Sequence, residues 1–436
     1  LDFKPEYSWE FLSQDEIQAK TLRALRNHIR HAKEVSTYYK EMLWDIAPED
    51  IKSFEDFQRV PFTGKTSLAE HNSRFLGCDP GSVVETVVTS GSTGKPVHFA
   101  LTSNDLERLA FNEALSFHSI GIHPGDTAQI LVSLDRLFIA GMAYYRGLTL
   151  LGANTMRIGV LPIEMQKHYI ETFSPTVLIG VPSFIKKLGL ELSKTSFDTV
   201  NSSVKKIICI GESLRTQDME LNSVGRSIQE IWGAKVFSTY ASTEMSVSYC
   251  ECSEQLGGHA HPELVYTEIV DESGKPVPDG TPGELVATPL GIEGMPLIRY
   301  RTGDITFSIT QPCTCGRNSI RIGPILGRKS QMIKLKGTTV YPLAITNALD
   351  EIEEIKDYII ILENDDSLSD RVAIHVATTP ASVEKISNRL RAVARVNFPV
   401  LVSNIATIQS LRGASRKKIR ILDWRQQVLG KSTSLK

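Results

Sequence analysis

The chain has 436 residues, too many for one ordinary core, so two or three domains are expected. Its 48 basic and 50 acidic residues leave a net charge of −2, which argues against nucleic acid or an anionic membrane as a partner. With 41% hydrophobic and 22% charged residues it has the composition of a soluble globular protein, and no apolar run approaches the ~20 residues of a transmembrane helix. The opening L-D-F-K-P-E-Y-S-W-E lacks the basic start and apolar middle of a signal peptide, so a cytoplasmic location is expected.

Residues 14 to 43 are charged and periodic, with Ile17, Leu22, Leu25 and Ile29 on one helical face. The runs V-V-E-T-V-V (83 to 88) and V-H-F-A-L-T (97 to 102) then read as strands. Between them lies T-S-G-S-T-G-K-P (89 to 96), which reads as a hairpin tip. Its hydroxyls, its two glycines and Lys95 suit an anion cradle, since bent glycine-rich backbone turns N–H groups toward phosphate oxygens. A P-loop is excluded, because Pro96 stands where a magnesium-binding Ser or Thr would be and no helix starts directly behind the loop. A plain surface hairpin is the alternative.

From about 105 to 290, short β-branched runs alternate with helical stretches, which predicts α/β layering. Y-A-S-T-E (240 to 244) follows a strand and offers a phosphate-binding hydroxyl, Thr243, beside a Mg2+-binding carboxylate, Glu244. A helix cap is the competing reading of that pair. Residues 264 to 307 turn β-rich. They include R-Y-R-T-G-D (299 to 304), whose Asp304 could accept from both hydroxyls of a ribose or simply sit on a turn. G-R-K-S-Q-M-I-K-L-K-G (327 to 337) places Arg328 shortly after, either at the same ligand or on a solvated basic strand. A smaller segment follows, with strand-like 359 to 362 and 372 to 377 and helical stretches around 343 to 351 and 381 to 396.

Four of the six cysteines fall in two pairs, Cys250 with Cys252 and Cys313 with Cys315, and G-G-H-A-H (257 to 261) follows the first. Cys252, His259, Cys313 and Cys315 would supply three thiolates and an imidazole, enough to close a structural Zn2+ site. His261 or Cys250 could replace one of them, and reduced thiols packed under two loops are the alternative.

Taken in order, these motifs resemble the adenylate-forming superfamily, and most closely the phenylacetate–CoA ligase family. The likeness runs from P-F-T-G-K (61 to 65) to the C-terminal end and is most specific over E-L-V-A-T-P-L…M-P-L-I-R-Y-R-T-G-D…C-T-C-G-R…G-P-I-L-G-R (284 to 328). Some of these relatives have a comparable cysteine cluster. The resemblance implies an α/β fold in two parts: a large adenylation domain with a β-rich subdomain at 1–326, a hinge at 327–331, and a small mobile α+β domain at 332–436.

It also implies ATP-dependent activation of a carboxylic acid, aryl or arylalkyl, to an acyl-adenylate with release of pyrophosphate, followed by transfer to coenzyme A. By motif match Ser90, Gly91, Ser92, Thr93, Gly94 and Lys95 would hold the β- and γ-phosphates. Gly211, Glu212 and Ser213 would lie by the adenine and acyl pocket, and Ser238, Thr239 and Tyr240 would flank the adenine. Thr243 would meet the α-phosphate, Glu244 the Mg2+, and Asp304 with Arg328 the ribose.

The family ends in a G-K-x-x-R pattern ahead of an I/L-D-x-R stretch, which brings a lysine to the acyl-adenylate during the first half-reaction. L-D-W-R (422 to 425) sets the register, so Lys417 and Arg420 match the lysine and arginine, with Arg416 in place of glycine and Lys418 as the rival lysine. Ser330 falls where the family has a charged hinge residue, which leaves the acceptor less firmly implied than adenylation. Phe138, Ala140, Tyr144 and Tyr145 would line the acyl slot or belong to the core. Transfer to an amine or carrier-protein thiol, and nucleotide binding without turnover, are the rival functions. The expected partners are the acid and coenzyme A, with a homodimer as an open alternative.

Overall fold

The computed structural model describes residues 3–89, 97–335, 338–364, 370–394, 396–413 and 419–425. Two compact units emerge: residues 1–215, 224–302 and 306–324 form the first, and 216–223, 303–305 and 325–436 the second.

In the first unit, α1 (Gln14–Val35) starts at a capping box in which the Ser13 and Glu16 side chains satisfy each other's backbone N–H groups. The helical stretch expected from 14 to 43 is broken at Ser36, which is extended (φ −95°, ψ 122°) and whose hydroxyl caps α2 (Thr37–Met42). Two short helices, α3 (Phe54–Phe57) and α4 (Lys65–His71), lead to an antiparallel pair, β1 (Glu85–Val88) and β2 (His98–Leu101), with Val88 opposite His98.

The centre of this unit is a wound α/β layer. Its elements in order are α5 (Ser103–Ile120), β3 (Thr127–Ile130), α6 (Ile139–Leu151), β4 (Asn154–Arg157), α7 (Ile163–Phe173), β5 (Val177–Gly180), α8 (Pro182–Leu192), β6 (Lys206–Ile210), α9 (Ser223–Trp232) and β7 (Lys235–Ser242). The strands run parallel in the order β4-β3-β5-β6-β7, and every residue of β5 is buried, as a parallel strand covered on both faces requires. Helices α5 and α6 approach so closely that a Cβ on Gly147 would lie 2.4 Å from the Cβ of Glu113, which explains a glycine in mid-helix.

The sheet changes direction at β8 (Val247–Glu251), which folds back antiparallel on β7, and β9 (Gly258–His259) follows it. Strands β10 (Val265–Val270) and β11 (Gly283–Pro289) pair antiparallel and lead to β12 (Tyr300–Thr306). Then β13 (Ser308–Ile309) and β14 (Arg321–Ile322) return to β9 and complete a nine-stranded sheet.

In the second unit, β15 (Gly327–Arg328) pairs with residues 304–305. A hairpin of β16 (Ile333–Leu335) and β17 (Thr338–Val340) precedes α10 (Pro342–Asp350). Strands β18 (Asp357–Asn364) and β19 (Asp370–Ala377) are antiparallel, flanked by β20 (Val400–Val402) on β19 and β21 (Ile421–Asp423) on β18. Helices α11 (Val383–Ala394) and α12 (Ile405–Arg412) complete an α+β body with its own apolar core, including Ile345, Leu349, Ile360, Leu362 and Ile374. The α/β class and its β-rich and α+β parts are thus as the sequence implies. Among the described residues no helix is long and apolar enough to cross a membrane.

Candidate active site and cysteine cluster

Thr243 and Glu244 sit half-buried in the turn that joins β7 to β8, so the helix-cap alternative for this pair is wrong. The turn is closed by the Ser246 N–H donating to Ser242 O (3.2 Å), with Ser246 itself at φ 48°. It is braced from α5 by Arg108, whose guanidinium donates to Ser246 O (2.8 Å), Leu290 O (2.6 Å) and Leu264 O. Ser238, Thr239 and Tyr240 lie on β7 just before it, and the Ser238 N–H donates to the buried Glu251 carboxylate (2.9 Å). That carboxylate also receives the Arg215 guanidinium at 2.7 and 2.9 Å, a fixed fork at the base of β7.

Gly211 follows β6 with φ +76°, a left-handed conformation that favours glycine. Glu212 beside it accepts from the Ser183 N–H (3.0 Å) and hydroxyl (2.8 Å) at the start of α8. Its carboxylate therefore satisfies a helix N-terminus. The Ser213 hydroxyl donates to Arg215 O (3.2 Å).

In the second unit Asp304 and Arg328 stand opposite each other on β12 and β15, joined by a 2.8 Å ion pair between a buried carboxylate and an exposed guanidinium. Arg425, the arginine of L-D-W-R, donates to Met332 O (2.8 Å), to Ser330 O and to Asp370 (3.0 Å), so it holds the short turn that contains Ser330. Arg420 pairs with Asp350 and lies 5.3 Å over the Tyr358 ring. The phosphate-loop residues Ser90 to Lys95, and Arg416, Lys417 and Lys418, lie outside the described residues.

Of the acyl-slot candidates, Tyr144 is fully buried with its ring edge-on to Phe117. Ala140 and Tyr145 are half-buried on α6, Tyr145 under the Arg157 guanidinium at 4.8 Å, and Phe138 is 40% exposed at the start of that helix.

The fold brings Cys252, His259, Cys313 and Cys315 together although the first and last lie 63 positions apart: their ligand atoms all lie within 4.8 Å of one another. Cys252 Sγ is 3.7 Å from Cys313 Sγ, and Cys315 Sγ is 3.6 Å from His259 Nε2. A tetrahedral ion with Zn–S of about 2.3 Å and Zn–N of about 2.05 Å would set S···S at about 3.8 Å and S···N at about 3.6 Å. A disulfide would need the sulfurs at about 2.05 Å. The residues present therefore fit a zinc ion. Cys250 and His261 stand apart from this group. Burial pushes the Cys250 thiol well above its ordinary range, and His261 faces Glu10 at 3.2 Å and Ser116 at 3.0 Å.

Behind the cluster is a residue the sequence reading did not single out. Glu10 is fully buried, with one oxygen 3.3 Å from Arg317 Nε and the other 3.5 Å from the Ser319 hydroxyl. Burial pushes its carboxyl up, but His261 and Arg317 outweigh that and hold it below the ordinary carboxylate range. Arg317 stands two residues after Cys315 in C-T-C-G-R, the one available signal, whereas nothing in S-W-E points to Glu10.

The family model of AMP-binding enzymes matches residues 16–291, and together with the motif order and the fold it defines an adenylate-forming enzyme. The chain is 31% identical over 376 residues to the phenylacetate-coenzyme A ligase of Thermus thermophilus, covering 84% of this chain and 82% of that protein. It is 27% identical over 442 residues to the Escherichia coli phenylacetate-coenzyme A ligase, covering 96% and 97%. The chain belongs to the phenylacetate–coenzyme A ligase family. In fold it is similar to 2-hydroxyisobutyryl-CoA ligase in its postadenylation state, with a TM-score of 0.83 at 24% identity over 96% of this chain and 92% of that one.

Proposed function

We propose that this protein activates a carboxylic acid with ATP and transfers the acyl group to coenzyme A, with an aryl or arylalkyl acid as substrate. The observation that carries the reading is likeness to phenylacetate-coenzyme A ligases at 27–31% identity over most of the chain. In the first step a carboxylate oxygen attacks the α-phosphorus of ATP and pyrophosphate leaves. In the second the thiol sulfur attacks the acyl carbon and AMP leaves.

The motif roles supply the residues. Ser90 to Lys95 hold the departing pyrophosphate, Thr243 the α-phosphate, and Asp304 with Arg328, its partner in a 2.8 Å ion pair, the ribose. Ser238 to Tyr240 and Gly211 to Ser213 line the adenine side, and Lys417 neutralises charge as the adenylate forms. Mg2+, held by Glu244, would offset phosphate charge during the displacement. Residues 327–331 serve as the hinge between an adenylation domain and a mobile C-terminal domain. Phe138, Ala140 and Tyr145 border the acid.

The Cys252/His259/Cys313/Cys315 set binds a structural zinc, supported by thiolate and imidazole spacings that match a tetrahedral ion. We place the reaction in the cytoplasm, where cysteines unpaired as these are stay reduced. Incubation with ATP, Mg2+, coenzyme A and a panel of aryl and alkyl acids, read by mass spectrometry, should yield an aryl or arylalkyl thioester and AMP. An acyl-adenylate that accumulates without thioester would favour an amine or carrier-protein acceptor.

A further inference from the structure

The buried polar groups behind the cysteine cluster converge on one carboxylate from a distant part of the chain. Glu10 lies in the turn Trp9–Phe11, and each of its oxygens stands one residue behind a candidate metal ligand. Through Oε2 it reaches Arg317 Nε at 3.3 Å, and Arg317 Nη1 in turn lies 3.6 Å from Cys315 Sγ. Through Oε1 it reaches the Ser319 hydroxyl at 3.5 Å, and that hydroxyl lies 3.1 Å from His259 Nδ1. If the hydroxyl donates to Glu10, it accepts from His259 Nδ1–H. That leaves the Nε2 lone pair, the atom facing Cys315, free for a metal. The guanidinium meanwhile offsets excess thiolate charge, since three thiolates around a divalent ion leave one negative charge uncompensated.

The same segment is strapped to the cluster loop by its backbone. Asn318 N–H donates to Glu10 O at 2.6 Å, and Asn318 Nδ2 donates to Leu12 O at 2.9 Å. The Phe11 ring lies under the Arg317 guanidinium at 4.9 Å.

We propose that Glu10 is the outer positioning residue of this metal centre, and that metal retention and docking of residues 8–12 are one coupled equilibrium. The inference rests on the zinc reading above and adds to it a residue and a consequence. With the ion in place, Cys315 and His259 are fixed, Arg317 and Ser319 are held by them, and Glu10 has its partners. Without the ion, the thiols and imidazole lose their common anchor, and residues 8–12 keep only their contacts to His261, Glu263 and Asn318.

The test uses the full chain with zinc as the probe. Glu10→Gln keeps the shape and removes the charge, and should release zinc to a chromophoric chelator about tenfold faster or more, the usual scale for an outer-shell partner. Ser319→Ala, a milder change that cuts only the His259 arm, should give a smaller increase and guards against a folding failure in the first variant. In wild type, chelation should raise amide hydrogen exchange in residues 8–12 and 313–319 together while β5 stays protected. Wild-type release rates in both variants, or chelation that loosens 313–319 and leaves 8–12 protected, would overturn the coupling with the zinc site intact. Purified protein that holds no zinc and takes up no cobalt would instead remove the metal reading itself.

Discussion

Glu113 shows how burial sets chemistry at a single position. It lies on α5 with Asn112 Nδ2 donating to it at 3.0 Å, and burial pushes its carboxyl up to about 7 against the hydrogen bond from Ser248. The native state thus keeps a proton that the unfolded chain, titrating near 4.5, gives up. The stability this group contributes is complete below 4.5 and is lost as pH rises through about 7, a loss of about 3 kcal/mol. Glu113→Gln should therefore gain about 3 kcal/mol over wild type between pH 4.5 and 8 in denaturant titrations. A pH-independent difference would show that the native carboxyl is ionised. Other charged residues are legible only in part. The sequence marks R-Y-R-T-G-D as a nucleotide motif, yet Arg299 within it is buried on Glu268 (3.0 and 2.9 Å) and on the carbonyls of Gln58 and Val60. Asp304 and Arg328, by contrast, were paired by their motifs and stand opposite each other. Glu10 was invisible, because its link to Arg317 spans 307 positions and leaves no periodic or spacing signal.

At the level of elements, the sequence announces the strands that flank its motifs well. Alternating β-branched runs on either side of 89–96 become β1 and β2, and Y-A-S-T-E falls at the end of β7. What the sequence hides is the strand that follows. V-S-Y-C-E gives no sign that it reverses on β7, which makes the Thr243–Glu244 stretch a strand turn. Likewise the break between α1 and α2 escapes a periodicity argument, since Ser36 is a cap inside an otherwise helical pattern. The β7–β8 turn depends on Arg108, which reaches three carbonyls from α5. Arg108→Ala should cost about 2 kcal/mol by leaving those carbonyls unpaired, and should slow adenylation beyond what the stability loss explains. Equal adenylation rates in folded mutant and wild type would show that the turn's position is indifferent to the reaction.

At the scale of the whole molecule, the wound α/β layer and the β-rich strands follow from the alternation of β-branched and helical runs, and the small α+β unit from the family resemblance. The partition is less legible: residues 216–223 and 303–305 group with the second unit although neither is contiguous with its main stretch at 325–436. Fold alone is shared by enzymes with different acids and cannot choose among them. The functional claim rests on motif order and on the likeness to phenylacetate-coenzyme A ligases. Its most direct test is acid-dependent exchange of labelled pyrophosphate into ATP, run without coenzyme A on wild type and on Lys417→Ala. Exchange is expected with at least one aryl or arylalkyl acid, with strict dependence on that acid and on Mg2+, and is lost in the lysine variant. No exchange with any acid in a broad panel would contradict that claim and leave a nucleotide-binding protein without turnover.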